Sequence, residues 1–194
     1  MPQKAELQQE VSFLKSLLPN LGSPVVFCHN DLLLKNIIYH IEPVTGPAVT
    51  FIDFEYAGYN FQAFDIANHF CEFAGVEVYD PDRYPDSEFQ KNWLKNYLMV
   101  WKELNNCHES HLSGSKSCED ISAIAITDVE VAQLLKQVEK FALAAHLVWG
   151  VWGLIQSQHS KINFDFLGYA LNRIKQYFED KCKIQRSSQN GYPL

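Results

Sequence analysis

Glycine-rich phosphate loops are missing from this chain. Its nine glycines never fall into G-x-G-x-x-G or a P-loop, and no strand-like run carries a V-A-I-K-type lysine, so the usual cradles for nucleotide phosphates cannot be read here. Basic residues are also in short supply, with 16 Lys and Arg against 23 Asp and Glu and a net charge of −7. That balance speaks against nucleic acid or an anionic membrane surface as partner and tolerates a cationic substrate. The five cysteines (28, 71, 107, 118 and 182) form no C-x-x-C pair, so neither a disulfide framework nor a common zinc site is indicated. No N-x-[ST] acceptor occurs and no signal peptide opens the sequence, so a cytoplasmic location is the expectation. The longest apolar run, FALAAHLVWGVWGLI, falls short of the roughly 20 residues that cross a bilayer, which predicts a buried core helix rather than stable membrane insertion.

What is present is aromatic and apolar. Hydrophobic residues make up 47% of the 194, with four Trp, nine Tyr and thirteen Phe; one domain over 1–194 with a substantial core is expected. The chain is organised around residues 25–53, which hold His29, Asn30 and Asp31, then Asn36, then Asp53 at the end of an apolar run. Runs 24–28 and 36–40 read as strands with 29–35 the loop between them, and 49–52 as a further strand reached through a turn at 42–48. Asp31 and Asn36 then sit at opposite mouths of one loop, and Asp53 can point into the same cavity. Kinase catalytic loops space an aspartate and an asparagine in this way, with a metal-binding Asp-Phe dipeptide after the next hairpin. Asp31 is placed to take the proton of an attacking hydroxyl, and Asn36 and Asp53 to hold Mg²⁺ on the phosphates of ATP. Taken singly, each is also a commonplace turn or strand-end residue; the ordered set points to phosphorylation of a hydroxyl. His29 is expected to brace the loop through a ring hydrogen bond.

The remaining elements read mostly helical. Helices are expected at 5–18, 64–74 (closed by Gly75), 88–104, 128–157 (opened by a Thr127/Glu130 capping box) and within 161–180, the last with Leu167, Tyr169, Ala170, Leu171, Ile174, Tyr177 and Phe178 as its apolar side. Residues 105–126 read as a polar surface loop. Its Cys107, His108, His111 and Cys118 fit no common zinc spacing, and 181–194 reads as a frayed tail. On the helix at 64–74, Asp65, Asn68 and Glu72 share one face; Asp65 is expected to cap the helix or brace the loop, and Glu72 to face a cavity, while Asn68 fits a solvated face equally well. Trp149 and Trp152 share a face beside Gly150 and Gly153, which suits either core packing or the wall of an ammonium pocket. His146, one turn earlier, reads as a core histidine.

The segments HNDLLLKNIIY, FIDFEYAGYN, FDIANHFCEFAGV, FALAAHLVWGVWGLIQ and INFDFLGYA resemble the choline/ethanolamine kinase family, with EFAG and FDFLGYA leaning toward its ethanolamine side. Glu55, where protein kinases carry the glycine of Asp-Phe-Gly, is a feature of that family. The resemblance implies an α+β, mostly helical fold: the C-terminal lobe of a protein-kinase-like enzyme, its catalytic loop on a small β-hairpin sheet. The N-terminal ATP-clamping lobe, with the rest of the cofactor site, is absent from these residues. It implies transfer of the ATP γ-phosphate to ethanolamine, the first step of the CDP-ethanolamine route to phosphatidylethanolamine, with choline the alternative substrate and a homodimer possible. By motif position Asp31 matches the base, Asn36 and Asp53 the Mg²⁺ ligands, and Tyr56, Glu72, Trp149, Trp152, Phe164 and Tyr169 the amino-alcohol pocket. A second reading is a catalytically incompetent chain that binds substrate or regulates the full-length kinase.

Overall fold

The computed structural model describes residues 2–113 and 125–189, the side chains of 106–113 and 187–189 excepted. By backbone proximity the chain divides into two compact units, Met1–Tyr84 with Gln137–Leu194, and Pro85–Lys136. All candidate site residues lie in the first unit.

Helix α1 (Lys4–Leu17) starts at a capping box in which the Gln3 backbone N–H donates to Glu6. It ends because Pro19 lacks the N–H needed to continue, and the chain tightens into a 3-10 turn over Leu18–Leu21. Strand β1 (Val25–Cys28) follows, then β2 (Ile37–Glu42), β3 (Gly46–Phe51) and β4 (Gly58–Phe61). Strands β2 and β3 form the expected hairpin, with Glu42 opposite Gly46 and Ile37 opposite Phe51. Its turn is only Pro43 to Thr45, shorter than the 42–48 expected, because both strands keep pairing through Pro47. Strand β4 had no counterpart in the sequence reading. It pairs antiparallel with β1, Val25 opposite Phe61 and Cys28 opposite Gly58, so the small sheet is two separate two-stranded pieces.

Helix α2 (Gln62–Glu72) begins two residues before its apolar pattern does. Its cap is remote in sequence: Ser23 Oγ accepts the Ala63 N–H and the Pro24 carbonyl accepts the Gln62 N–H. Gly75, at φ +86°, ends the turn after α2; a Cβ there would lie 2.5 Å from the Val78 carbonyl oxygen.

In the second unit, α3 (Ser87–Ser113) runs well past residue 104, so the first part of the expected 105–126 loop is helical. Residues 114–124, and the side chains of Cys107, His108, His111 and Cys118, lie outside the described residues. Helix α4 (Asp128–His159) opens with the expected box: the Thr127 N–H and hydroxyl both donate to Glu130, whose own N–H donates to Thr127.

Helix α5 (Phe166–Gln189) overturns the expectation of fraying from residue 181. Glu10 on α1 accepts from both the Tyr177 hydroxyl and Lys181 Nζ, and that ammonium stands 4.3 Å from the Phe13 ring centre. These contacts order the turns that sequence alone leaves polar. The buried side of α5 is also turned from the one expected. Phe166, Tyr169, Ala170, Arg173, Ile174 and Tyr177 are inside, while Leu167 and Leu171 are exposed.

Helix α4 is long and apolar enough to cross a membrane, but 67% of its apolar window is buried within the protein. Part of that burial is against α5. A Cβ on Gly150 would lie 2.8 Å from Ile174 Cγ1, and one on Gly153 3.0 Å from both Ala170 Cβ and Tyr169 Cδ1 and 3.2 Å from the Phe166 carbonyl. The two glycines therefore serve close helix packing, not an opening for ligand. Gly153→Ala gains about 1 kcal/mol of helix propensity yet forces α5 outward, an overpacking cost of roughly 1–3 kcal/mol. A net loss of stability is expected in denaturant titration, and a stabilised variant would mean that the helices can separate freely.

Candidate active site

The loop after β1 is held by α2. Asp65 accepts the His29 N–H through Oδ2 (2.8 Å) and the Asn30 N–H through Oδ1 (2.7 Å), so it braces the loop rather than capping its own helix. One turn on, Asn68 Nδ2 donates to the Asn30 carbonyl (3.1 Å), and His69 Nδ1 meets the Leu32 carbonyl (2.9 Å). Asn68 is fully buried, so its solvated alternative is excluded. The polar stripe of α2 is thus a row of clamps. It is tolerated in an apolar helix because each of these side chains bonds the loop, although the Asn68 Oδ1 is buried without a hydrogen-bond partner.

Asn30 sits in the left-handed region at φ 66°. Its amide nitrogen donates to the Tyr56 carbonyl and its amide oxygen accepts from Asn60, both at 2.9 Å. Asparagine tolerates this backbone better than most residues, and the two bonds hold it there. The loop turns sharply at Asn30 and delivers the next residue, Asp31.

His29 is buried, and its ring tautomer follows from its partners. Nδ1 accepts the Asp31 N–H (3.3 Å), which leaves Nε2–H to donate to the Ile52 carbonyl (2.9 Å). One imidazole therefore ties the catalytic loop to the end of β3. A second tie is the Ile52 N–H on the Asn36 carbonyl, at 3.0 Å. Asp53, the next residue, is in the left-handed region at φ 63°, a strained conformation of the sort that functional sites retain.

Asn36 is buried, and its Nδ2 donates to the Asp31 carbonyl (2.9 Å) and to Asp31 Oδ2 (3.3 Å). With Nδ2 so engaged, Oδ1 is the atom left for a hard cation. Among the described residues no cluster of three or more His, Cys, Asp or Glu could enclose a metal. An amide oxygen with a carboxylate fits Mg²⁺ better than an all-protein cage, since that ion keeps substrate phosphates and water as its other ligands. The charge of the site fits too. Burial pushes the Asp31 carboxyl up to about 6; the Glu72 charge adds to that and Asp53 contributes in the same sense, against the opposing pull of His29 and Asn36. The site therefore carries more negative charge than it neutralises.

The aromatic residues 56, 149, 152, 164 and 169 gather into one cluster. Trp149 and Trp152 meet edge to face with centres 5.4 Å apart, and Tyr56 meets Trp149 in the same way at 5.4 Å. The Trp152 Nε1–H donates to the Tyr56 hydroxyl (3.1 Å). Tyr169 stands 6.3 Å from Trp152 and 6.1 Å from Phe164. Phe166, not anticipated as a member, joins both Trp152 (5.7 Å) and Phe164 (4.8 Å).

Glu72 differs most from expectation. It is buried and paired with Arg173, Nη1 to Oε1 at 3.0 Å, so its charge is not simply free for a ligand. Arg173, four residues after Tyr169 on the buried side of α5, is a member of the site that no local sequence pattern marks. His146 is buried behind this pair, its Nε2 3.5 Å from Cys71 Sγ. Burial, reinforced by the Arg173 cation, holds its imidazole well below the usual range; its 3.8 Å approach to Asp180 is therefore not an ion pair near neutral pH.

A strand, a clamped loop with Asp31 and Asn36, a hairpin followed two residues later by Asp53 and a helical body are the arrangement expected of a kinase-like C-terminal lobe. Comparison with known proteins agrees. The family model for choline/ethanolamine kinase matches residues 2–178. The chain is 47% identical to human ethanolamine kinase 1 over 95% of its own length and 37% of that protein's. It is 49% identical to human ethanolamine kinase 2, over 97% and 42% respectively. Among solved structures it is similar to an ethanolamine kinase of Plasmodium vivax (TM-score 0.71, 32% identity, 91% of this chain and 40% of that one). It is also similar to a choline kinase of Cryptosporidium parvum (TM-score 0.66, 25% identity, 95% and 50%). The chain thus spans at most half the length of these relatives. Its fold is that of a kinase-like C-terminal lobe, and the chain belongs to the choline/ethanolamine kinase family.

Proposed function

We propose that the protein carrying this chain phosphorylates ethanolamine with ATP, opening the CDP-ethanolamine route to phosphatidylethanolamine, in the cytoplasm. The observation that supports this best is the contact of Asn36 with Asp31 in a loop tied through Ile52 to Asp53. On this reading it would set a base beside two hard-cation ligands. Asp31 would take the hydroxyl proton as the oxygen forms its bond to the γ-phosphorus and ADP departs. A carboxyl pushed up to about 6 is a stronger base than an ordinary one and is still ionised at neutral pH. Asn36 and Asp53 would hold Mg²⁺, which would supply positive charge to neutralise the ATP phosphates. Glu72 would offset the ammonium of the substrate, and the ring faces of Tyr56, Trp149, Trp152, Phe164 and Tyr169 would add about 0.5–2 kcal/mol of cation–π attraction apiece where they meet it.

The test is ATP-dependent phosphorylation of ethanolamine by this chain and by a version extended with upstream coding sequence, with choline as competitor. Turnover of ethanolamine in the extended form, preferred over choline, is expected. Absence of turnover there with either amino alcohol would sink the proposal. Glu72→Gln in the active form is expected to raise the KM for ethanolamine about tenfold while kcat falls less, since a charge–charge contact to the bound ground state is lost. An unchanged KM would move the ammonium site elsewhere.

A further inference from the structure

Glu72 is the last residue of α2. A carboxylate at a helix C-terminus faces the negative end of the helix dipole, so by itself it is misplaced there. A buried carboxylate also needs a counter-charge, and Arg173, from a residue 101 positions away, supplies it. Both side chains are nearly closed to solvent, at 2% and 5% exposure for Arg173 and Glu72.

The contact is one-sided. A guanidinium–carboxylate pair serving the fold alone gains most from two parallel bonds with every donor satisfied. Here the one hydrogen bond runs from Nη1 to Oε1, while Nε and Nη2 of Arg173 are buried without a hydrogen-bond partner. That arrangement spends one carboxylate oxygen and leaves Oε2 as an acceptor. Arg173 also lies over the Tyr169 ring, 5.8 Å from its centre, and that ring belongs to the aromatic cluster with Trp152 and Phe164. A cation on one face of a phenol ring draws on the quadrupole that a second cation would use, so Tyr169 becomes a poorer host for a trimethylammonium group. Both effects favour a ligand that binds through N–H donors.

We propose that Arg173 is a positioning residue for amino-alcohol recognition. By holding Glu72 through Oε1 and covering Tyr169, it presents Oε2 as a directional acceptor for a primary ammonium and disfavours a quaternary one. The inference rests on the amino-alcohol reading given above, and its test separates the two.

Binding is followed by tryptophan fluorescence, with Trp149 and Trp152 as reporters, titrating the extended form of the chain with ethanolamine and with choline. No ethanolamine-dependent change in the unaltered chain would overturn both the amino-alcohol reading and this inference. Against a binding unaltered chain, Arg173→Met is expected to weaken ethanolamine about tenfold or more while choline changes by less than about threefold. Because Arg173→Met leaves Glu72 unpaired, two further variants guard against misfolding. Arg173→Lys keeps a cation but not the fork geometry, and an intermediate loss for ethanolamine is expected. Arg173→Met combined with Glu72→Gln removes both charges. It should bind ethanolamine no worse than the weaker single variant, since both changes remove the same presented oxygen. Equal losses for ethanolamine and choline, or single-variant losses that multiply in the double variant, would overturn the role of Arg173 while leaving the amino-alcohol reading standing.

Discussion

Asp31→Asn should abolish phosphoryl transfer and at the same time stabilise the fold. In the extended, active form we expect turnover to fall by about three orders of magnitude or more, the scale on which a positioned base acts together with the geometry it sets. The amide cannot accept the hydroxyl proton, but it is isosteric, and its oxygen can still accept from Asn36 Nδ2. The stability effect follows from the carboxyl being pushed up to about 6, first by burial and then by the Glu72 charge. Its ordinary unfolded value is about 3.9. The folded state therefore binds this proton more tightly than the unfolded state does. The favourable contribution is fully present below about pH 4 and is lost as pH rises through 6. At pH 8 the ionised carboxylate costs the fold about 1–3 kcal/mol, and replacing it with an amide removes that cost. A Tm higher by several degrees at pH 8, shrinking toward zero at pH 4, is the expected result. The same titration predicts that kcat/KM falls as pH drops below about 6, where the base becomes protonated. A variant that keeps turnover would remove Asp31 from the chemistry. One destabilised equally at both pH values would show that its carboxylate is paired rather than strained.

Asp65→Ala is expected to be the most damaging single change outside the reacting groups. Its carboxylate takes two backbone N–H groups of the catalytic loop, at 2.8 and 2.7 Å. Hydrogen bonds to a charged acceptor contribute about 1.5–3 kcal/mol each, and donors left without an acceptor add their own penalty. A loss of about 3–4 kcal/mol is expected in denaturant titration. Turnover should fall about a hundredfold, because Asn30 is then free to leave its left-handed conformation and Asp31 moves with it. Asp65→Asn, which keeps one acceptor oxygen, should fall between the two in both measurements. If the stability loss appears without any loss of turnover, the clamp serves the fold and not the placement of Asp31.

Much of this was legible in the sequence because it is local. The five-residue interval from Asp31 to Asn36, the β2–β3 hairpin and the Asp-Phe step at 53 are set by short-range strand and turn chemistry. The capping box at Thr127 and the apolar periodicity of α2 and α4 are equally local. The two tryptophans of α4 share a face by helical geometry alone. Where the periodic signal was mixed, the reading slipped. On α5, Leu167 and Leu171 looked like the inner face, but the small Ala170 and the close glycines of α4 set the rotation, and Arg173 came inside with Tyr169 and Ile174.

The chain by itself, then, determined the order and spacing of the candidate groups: Asp31, Asn36 and Asp53 along one strand, loop and hairpin, and the aromatic residues of α4 and α5. The tertiary structure decided what holds them. Strand β4 is defined by its pairing with β1, the start of α2 by Ser23 and Pro24, and the last turns of α5 by Glu10 and Phe13. Asn30 is fixed by Tyr56, Asn60, Asp65 and Asn68, and Glu72 by Arg173. None of these pairings has a spacing rule, because partners far apart in the chain meet only once the helices have packed. A buried polar group must find its partner wherever the fold brings one.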